Sequence, residues 1–294
     1  SQPKVVGLMY VMLLVGMIIS AVIFGALLAN FSPLRLIQVI QGCAIITLVF
    51  NTIASWKQEG RNAGRRNPAK QPPSFRESWQ SFAQGGHAVR RLLSVGLGTM
   101  GFSMADVLLE PYGGQVLHLS VGATTSLTAT LAAGGLIGLA LASRVLSRGA
   151  DPFRMASYGA LTGVPAFILV IAASPANEPL FFAVGTLMVG FGAGLFGHGT
   201  LTATMNLAPR NQVGLALGAW GASQAVAAGL AIAIGGILRD SVAAMPLRGE
   251  FGAATGYMYV YALEIILLIF TLAAMAPLIR PNRQANAQSQ LGSP

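Results

Sequence analysis

Along most of this chain the apolar residues follow neither alternation nor a one-sided stripe; they run in blocks of 20 and more. A helix needs about 20 mostly apolar residues to cross a bilayer. Eight blocks meet that length: 5–29, 34–55, 92–117, 120–142, 155–174, 180–206, 212–238 and 255–279. The pattern therefore predicts an all-α, polytopic membrane protein with eight transmembrane helices. The block at 212–238 is the cleanest, because nothing ionisable lies between Arg210 and Arg239.

The polar stretches between the blocks set the organisation. Two blocks (1–55) precede a long loop at 56–91, six follow it (92–279), and a polar tail closes the chain (280–294). The loop reads as a basic, Pro-containing linker over 57–73 and a short membrane-surface helix over 74–84. There Ser74 and Glu77 form a capping box, and Phe75, Trp79 and Phe82 recur at helical spacing. A central loop followed by six helices resembles the second half of a twelve-helix major-facilitator transporter, so about four helices are expected to be missing at the front. The stretch Arg144 to Arg154, after Gly134, Gly135 and Gly138, resembles a degraded copy of the cytoplasmic loop motif of such transporters.

Composition agrees and narrows the classes. The chain is 54% hydrophobic and 9% charged, against about 25% charged for a soluble domain. The lone Cys43 excludes an intrachain disulfide, and three scattered histidines make no zinc motif. The net charge of +9 does not imply nucleic acid, because the basic residues flank the blocks. Fifteen of the 18 Lys and Arg fall on one side of an eight-span topology, leaving Arg35, Arg239 and Arg248 on the other. The positive-inside rule then puts both termini of the chain in the cytoplasm.

Against this apolar background the polar residues inside the blocks are conspicuous. Asp106 and Glu110 are four apart and share a helical face with Thr99 and Ser103. Charges at bilayer depth are costly and normally face a cavity, a partner or the protein interior. Three readings stand: a proton or cation relay, a site for a polar group of a substrate or partner, and a buried structural pair. Pro111 is expected to kink or break the helix, leaving Tyr112-Gly113-Gly114 irregular. Glu264 is a third intramembrane carboxylate, on a stripe with Tyr257, Tyr261 and Thr271.

In block 180–206, Gly190, Gly194, His198, Thr202 and Asn206 form one row, with Gly197 and Gly199 flanking the histidine. A neutral intramembrane His can ligate a metal, including the magnesium of a chlorophyll, and small neighbours would let a flat macrocycle approach. The other reading is an interhelical hydrogen bond among packing glycines. His118 sits at the end of block 92–117 and reads mainly as interfacial. In block 212–238, Gly214, Gly218, Gly221, Ala225 and Gly229 form a stripe expected to pack closely on a neighbouring helix, with Trp220 and Gln224 on an adjacent face. No enzyme signature is present. Gly192, Gly194 and Gly197 spell a dinucleotide-like pattern, but inside a membrane block with no strand before it.

Several stretches together carry a resemblance: Asp106 to Gly114 (DVLLEPYGG), Ser120 to Thr125 (SVGATT) with Leu127 to Ala129, Gly190 to Ala203 (GFGAGLFGHGTLTA) and Gly214 to Ala225 (GLALGAWGASQA). With Arg239-Asp240 after them, they resemble the PucC/LhaA family of bacteriochlorophyll delivery proteins over essentially the whole chain. The resemblance implies a major-facilitator-like assembly factor for purple-bacterial light-harvesting complexes, in the inner photosynthetic membrane. It implies bacteriochlorophyll and carotenoid as the pigments concerned. The implied partners are antenna polypeptides, a reaction-centre antenna complex or pigment-synthesis enzymes. The family carries over no settled catalytic residues. The candidate pigment or partner site is therefore read from the residues themselves, as His198, Gly194, Thr202, Trp220, Gln224 and His118. Asp106, Glu110, Tyr112 and Glu264 make the candidate intramembrane polar site. Two other functions remain open: a proton-coupled secondary transporter of a small or amphipathic solute, and a structural subunit of an antenna complex.

Overall fold

The computed structural model describes residues 2–28, 32–56, 79–80, 88–208, 213–245 and 252–279. The expected linker at 57–73 and the tail at 280–294 lie outside the described residues, as does His87; of the expected surface helix only Trp79 and Gln80 are described. Among the described residues the structure is helical: α1 (Gln2–Leu27), α2 (Pro33–Ser55), α3 (Ala88–Ser103), α4 (Ala105–Gln115), α5 (Val121–Leu146), α6 (Pro152–Ala176), α7 (Pro179–Leu207), α8 (Val213–Ala243) and α9 (Thr255–Met275). Seven stretches are long and apolar enough to cross a membrane, counting α3 and α4 as one broken span, Ala88–Gln115. Helix α1 contributes a shorter apolar stretch, Val11–Leu27. This is a polytopic, all-α membrane protein.

Local chemistry explains several boundaries. Asp151, read above as part of a loop motif, caps α6: its Oδ1 accepts from the amides of Phe153 (2.8 Å) and Arg154 (3.2 Å), with Pro152 in the first turn. Ser120 caps α5 through the Ala123 amide at 3.3 Å. Helix α6 ends at Asn177, whose left-handed backbone (φ 51°) suits an asparagine C-cap.

Helix α7 is the hub of the bundle. It packs along α5 on one side and α6 on the other; α9 lies on α6, α3 and α8, and α1 lies on α5. The close approach is built on glycine. A Cβ added at Gly190 would stand 2.0 Å from the Leu131 carbonyl oxygen of α5, and one at Gly134 would stand 2.1 Å from that of Leu187 in α7. On the other side of α7, a Cβ on Gly159 of α6 would meet the Gly192 carbonyl at 2.5 Å. Small-residue packing of this kind is how membrane helices gain contact without a hydrophobic drive between them.

The α8 stripe behaves otherwise. Added Cβ atoms at Gly214, Gly218, Gly221 and Gly229 would find nothing within 4 Å, and Ala225 is exposed. The close packing expected of this stripe is thus absent among the described residues. Helix α8 instead meets α3 through Ser223, whose hydroxyl donates to the Leu92 carbonyl at 3.0 Å. Gly214, Gly218 and Ala222 line an apolar groove of about 820 Å³ between α3 and α8.

Candidate functional site

The span Ala88–Gln115 is broken, but not at its proline. Pro111 lies inside α4, and Tyr112, Gly113 and Gly114 are helical; the interruption falls at Met104. The expected irregular segment after Glu110 is therefore corrected: the break comes earlier, where another helix supplies the missing hydrogen bond. Glu264 of α9 is fully buried, and its Oε1 accepts from the Ala105 amide at 2.8 Å. Met104 gives no side-chain cap, so Glu264 caps α4 from a neighbouring helix. Inside a bilayer a freed amide needs such a partner.

Directly after the break, Asp106 faces a cleft of about 280 Å³ bounded by α1, α3, α4, α5, α7 and α8. The polar groups on its wall are Thr99, Ser103, Asp106, His198 and Gln224. The remaining wall is apolar or glycine, including Phe102, Phe196 and Met17. Two polar atoms here are buried without a hydrogen-bond partner among the described residues: His198 Nδ1 and Thr99 Oγ1. The cleft thus unites the Asp106 face of the broken α3–α4 span with the histidine row of α7, which no spacing in the sequence connects.

Other expected site residues go elsewhere. Glu110 does not line the cleft; it accepts a hydrogen bond from the Thr128 hydroxyl of α5. Tyr112 is fully buried in an aromatic cluster, with ring centroids 5.3 Å from Phe182, 5.4 Å from Tyr257 and 5.6 Å from Tyr261. Its hydroxyl donates to the Val170 carbonyl at 3.2 Å. Trp220 is buried beside Val95 and Leu201, and its Nε1 donates to Thr200 Oγ1 at 3.3 Å. Thr202 is half-buried and away from the cleft wall. His118 is an exposed residue of the connection between α4 and α5 with a left-handed backbone (φ 51°), a conformation in which His is less disfavoured than most side chains.

Gly194 lines the cleft, yet its lack of a side chain serves packing: an added Cβ would sit 2.5 Å from the Gly135 carbonyl oxygen. The open space beside His198 is at Gly197, where an added Cβ would meet nothing within 4 Å. Helix α1, in which no residue stands out as a candidate from the sequence, walls the cleft with Leu13, Leu14 and Met17. Gln115 has no sequence signal either, yet its Oε1 accepts from Arg239 (2.8 Å) and Tyr257 (2.7 Å) and ties α4, α8 and α9 together. Arg239 also lies 4.8 Å from the Tyr257 ring centre and 3.0 Å from Asp240.

With this geometry in place, the relatives are informative. The sequence model of the family described as "PUCC protein" matches residues 1–283. The chain belongs to the PUCC family. It is similar to Protein PucC of Rhodovulum sulfidophilum, 60% identical over 246 residues, covering 82% of this chain and 54% of that protein. It is similar also to Protein PucC of Cereibacter sphaeroides, 52% identical over 280 residues (95% of this chain, 61% of the relative). A third relative, Protein PucC of Rhodobacter capsulatus, is 51% identical over 285 residues, 95% and 61% of the respective chains. The chain thus spans between half and two thirds of the length of these family members.

Proposed function

We propose that this chain acts in the assembly of light-harvesting complexes in a photosynthetic inner membrane. It handles bacteriochlorophyll at the His198–Asp106 cleft and passes it to antenna polypeptides, without covalent chemistry of its own. Family membership supports the pathway. One structural observation supports the site: an intramembrane histidine with an unpartnered ring nitrogen lines an apolar-walled cleft, with open space at Gly197. His198 would supply a neutral imidazole to the magnesium, and Thr99, Ser103 and Gln224 would offer hydrogen bonds to the ring's carbonyl groups. The cleft, at about 280 Å³, is small for a ligand site, so it would hold only the part of the macrocycle that lies over His198, with the rest of the ring and the tail outside it. The Lys and Arg distribution supports cytoplasmic termini.

Purification in mild detergent from cells that make both pigment and antenna polypeptides tests this reading. Co-purified bacteriochlorophyll or antenna polypeptide is the expected result. A preparation free of both contradicts it.

A second reading rests on the broken span. Discontinuous helices at a polar site are a feature of secondary transporters, and Asp106 follows the break directly into the cleft. Under that reading, reconstituted vesicles show proton-dependent uptake of an amphipathic solute that Asp106→Asn abolishes. Flux indifferent to the proton gradient excludes it.

A further inference from the structure

We propose that the cleft discriminates by charge, taking a neutral ligand and rejecting an anionic one, with Asp106 as the residue that sets the preference. The inference rests on the pigment reading above. In those terms the cleft accepts a magnesium tetrapyrrole whose propionate is esterified and turns away the free acid, which differs chiefly in one carboxylate.

The argument starts from what the cleft wall lacks. Its polar groups are Thr99, Ser103, Asp106, His198 and Gln224, and among the described residues no Lys or Arg lines it. The described arginines stand near helix ends: Arg90 donates to the Ala274 carbonyl, and Arg239 is engaged by Gln115, Asp240 and the Tyr257 ring. A ligand carboxylate brought here loses its water and finds no cation among the described residues of the wall to replace it. It also meets the Asp106 carboxylate, and like charges in a low-dielectric setting oppose each other. An ester meets neither penalty, because the Thr99 hydroxyl, which has no partner of its own, and the Gln224 amide are neutral donors for a carbonyl oxygen. Asp106 thus rejects the wrong ligand more than it attracts the right one, as specificity often requires. It is held in place by its position in the first turn of α4, immediately after the Ala105 amide that Glu264 caps.

The test compares a zinc tetrapyrrole as free propionic acid and as methyl ester. Each is titrated at pH 8 into the purified full chain by absorbance and corrected for partition into detergent. The ester is expected to bind at least about tenfold tighter, the order set by two unit charges about 10 Å apart at an effective dielectric constant of about 20. Asp106→Asn and Asp106→Ser should each shrink the ratio below about threefold by strengthening the free acid, whereas Asp106→Glu should preserve it. Equal affinities for the wild-type chain, a measurement that needs no variant to fold, overturn the charge filter and leave the pigment reading standing. A ratio unchanged in the neutral variants does the same. Binding of neither form overturns the pigment reading and this inference with it.

Discussion

At the scale of single residues, the burial of Glu264 carries the sharpest consequence. Its carboxylate stands in for the backbone bond that the break removes, so its value is that of a hydrogen bond to a buried amide. Glu264→Leu should destabilise the protein by about 1–3 kcal/mol, the cost of an orphaned buried N–H, whereas Glu264→Gln keeps an acceptor oxygen and should cost far less. Thermal unfolding of the two variants in detergent checks this; equal losses would show that the cap contributes nothing. Tyr112→Phe removes the hydroxyl that donates to Val170 and leaves the aromatic packing, so a loss of about 1 kcal/mol is expected in the same assay. These polar residues are legible in the sequence because charge and hydroxyl groups stand out in apolar blocks; their partners are not. Glu110 and Asp106 share a helix face, yet one meets Thr128 and the other the cleft, and Glu264, the third intramembrane carboxylate, serves the backbone at Ala105.

At the scale of helices, the blocks of apolar residues located the spans after the long loop, since length and hydropathy leave little choice in a bilayer. The position of the break was not legible. Pro111 was the obvious breaker, but an interior proline is tolerated where neighbouring helices provide packing, and the break went to Met104, where a distant glutamate could cap it. Glycine roles were half legible for a similar reason. A stripe of small residues permits close approach, and only the tertiary structure says whether a helix takes it up. Gly190→Ala should therefore overpack the α5–α7 contact and cost about 1–3 kcal/mol or more, whereas Gly218→Ala, with open space beside it, should be neutral or stabilising by up to about 1 kcal/mol. Parallel melting curves decide, and a Gly190→Ala protein as stable as Gly218→Ala would refute the assignment of the packed face.

At the scale of the whole molecule, the bundle places one polar cleft at the meeting point of six helices, with α7 as its central support. The fold class was readable from hydropathy and the family from four motif stretches; the cleft was not, because α1, α4, α7 and α8 converge there with no sequence proximity among them. If the Lys and Arg asymmetry sets the topology, a reporter fused after residue 279 should read as cytoplasmic, and one in the segment between α8 and α9 as external. The inverse pattern would invert the orientation of the cleft. His198 is the proposed pigment ligand of that cleft. Its most direct test is the absorption spectrum of the purified wild-type chain beside that of His198→Leu, from cells that synthesise bacteriochlorophyll. Near-complete loss of the bound pigment in the variant, with the same melting temperature, is the predicted result; undiminished pigment in His198→Leu would contradict it.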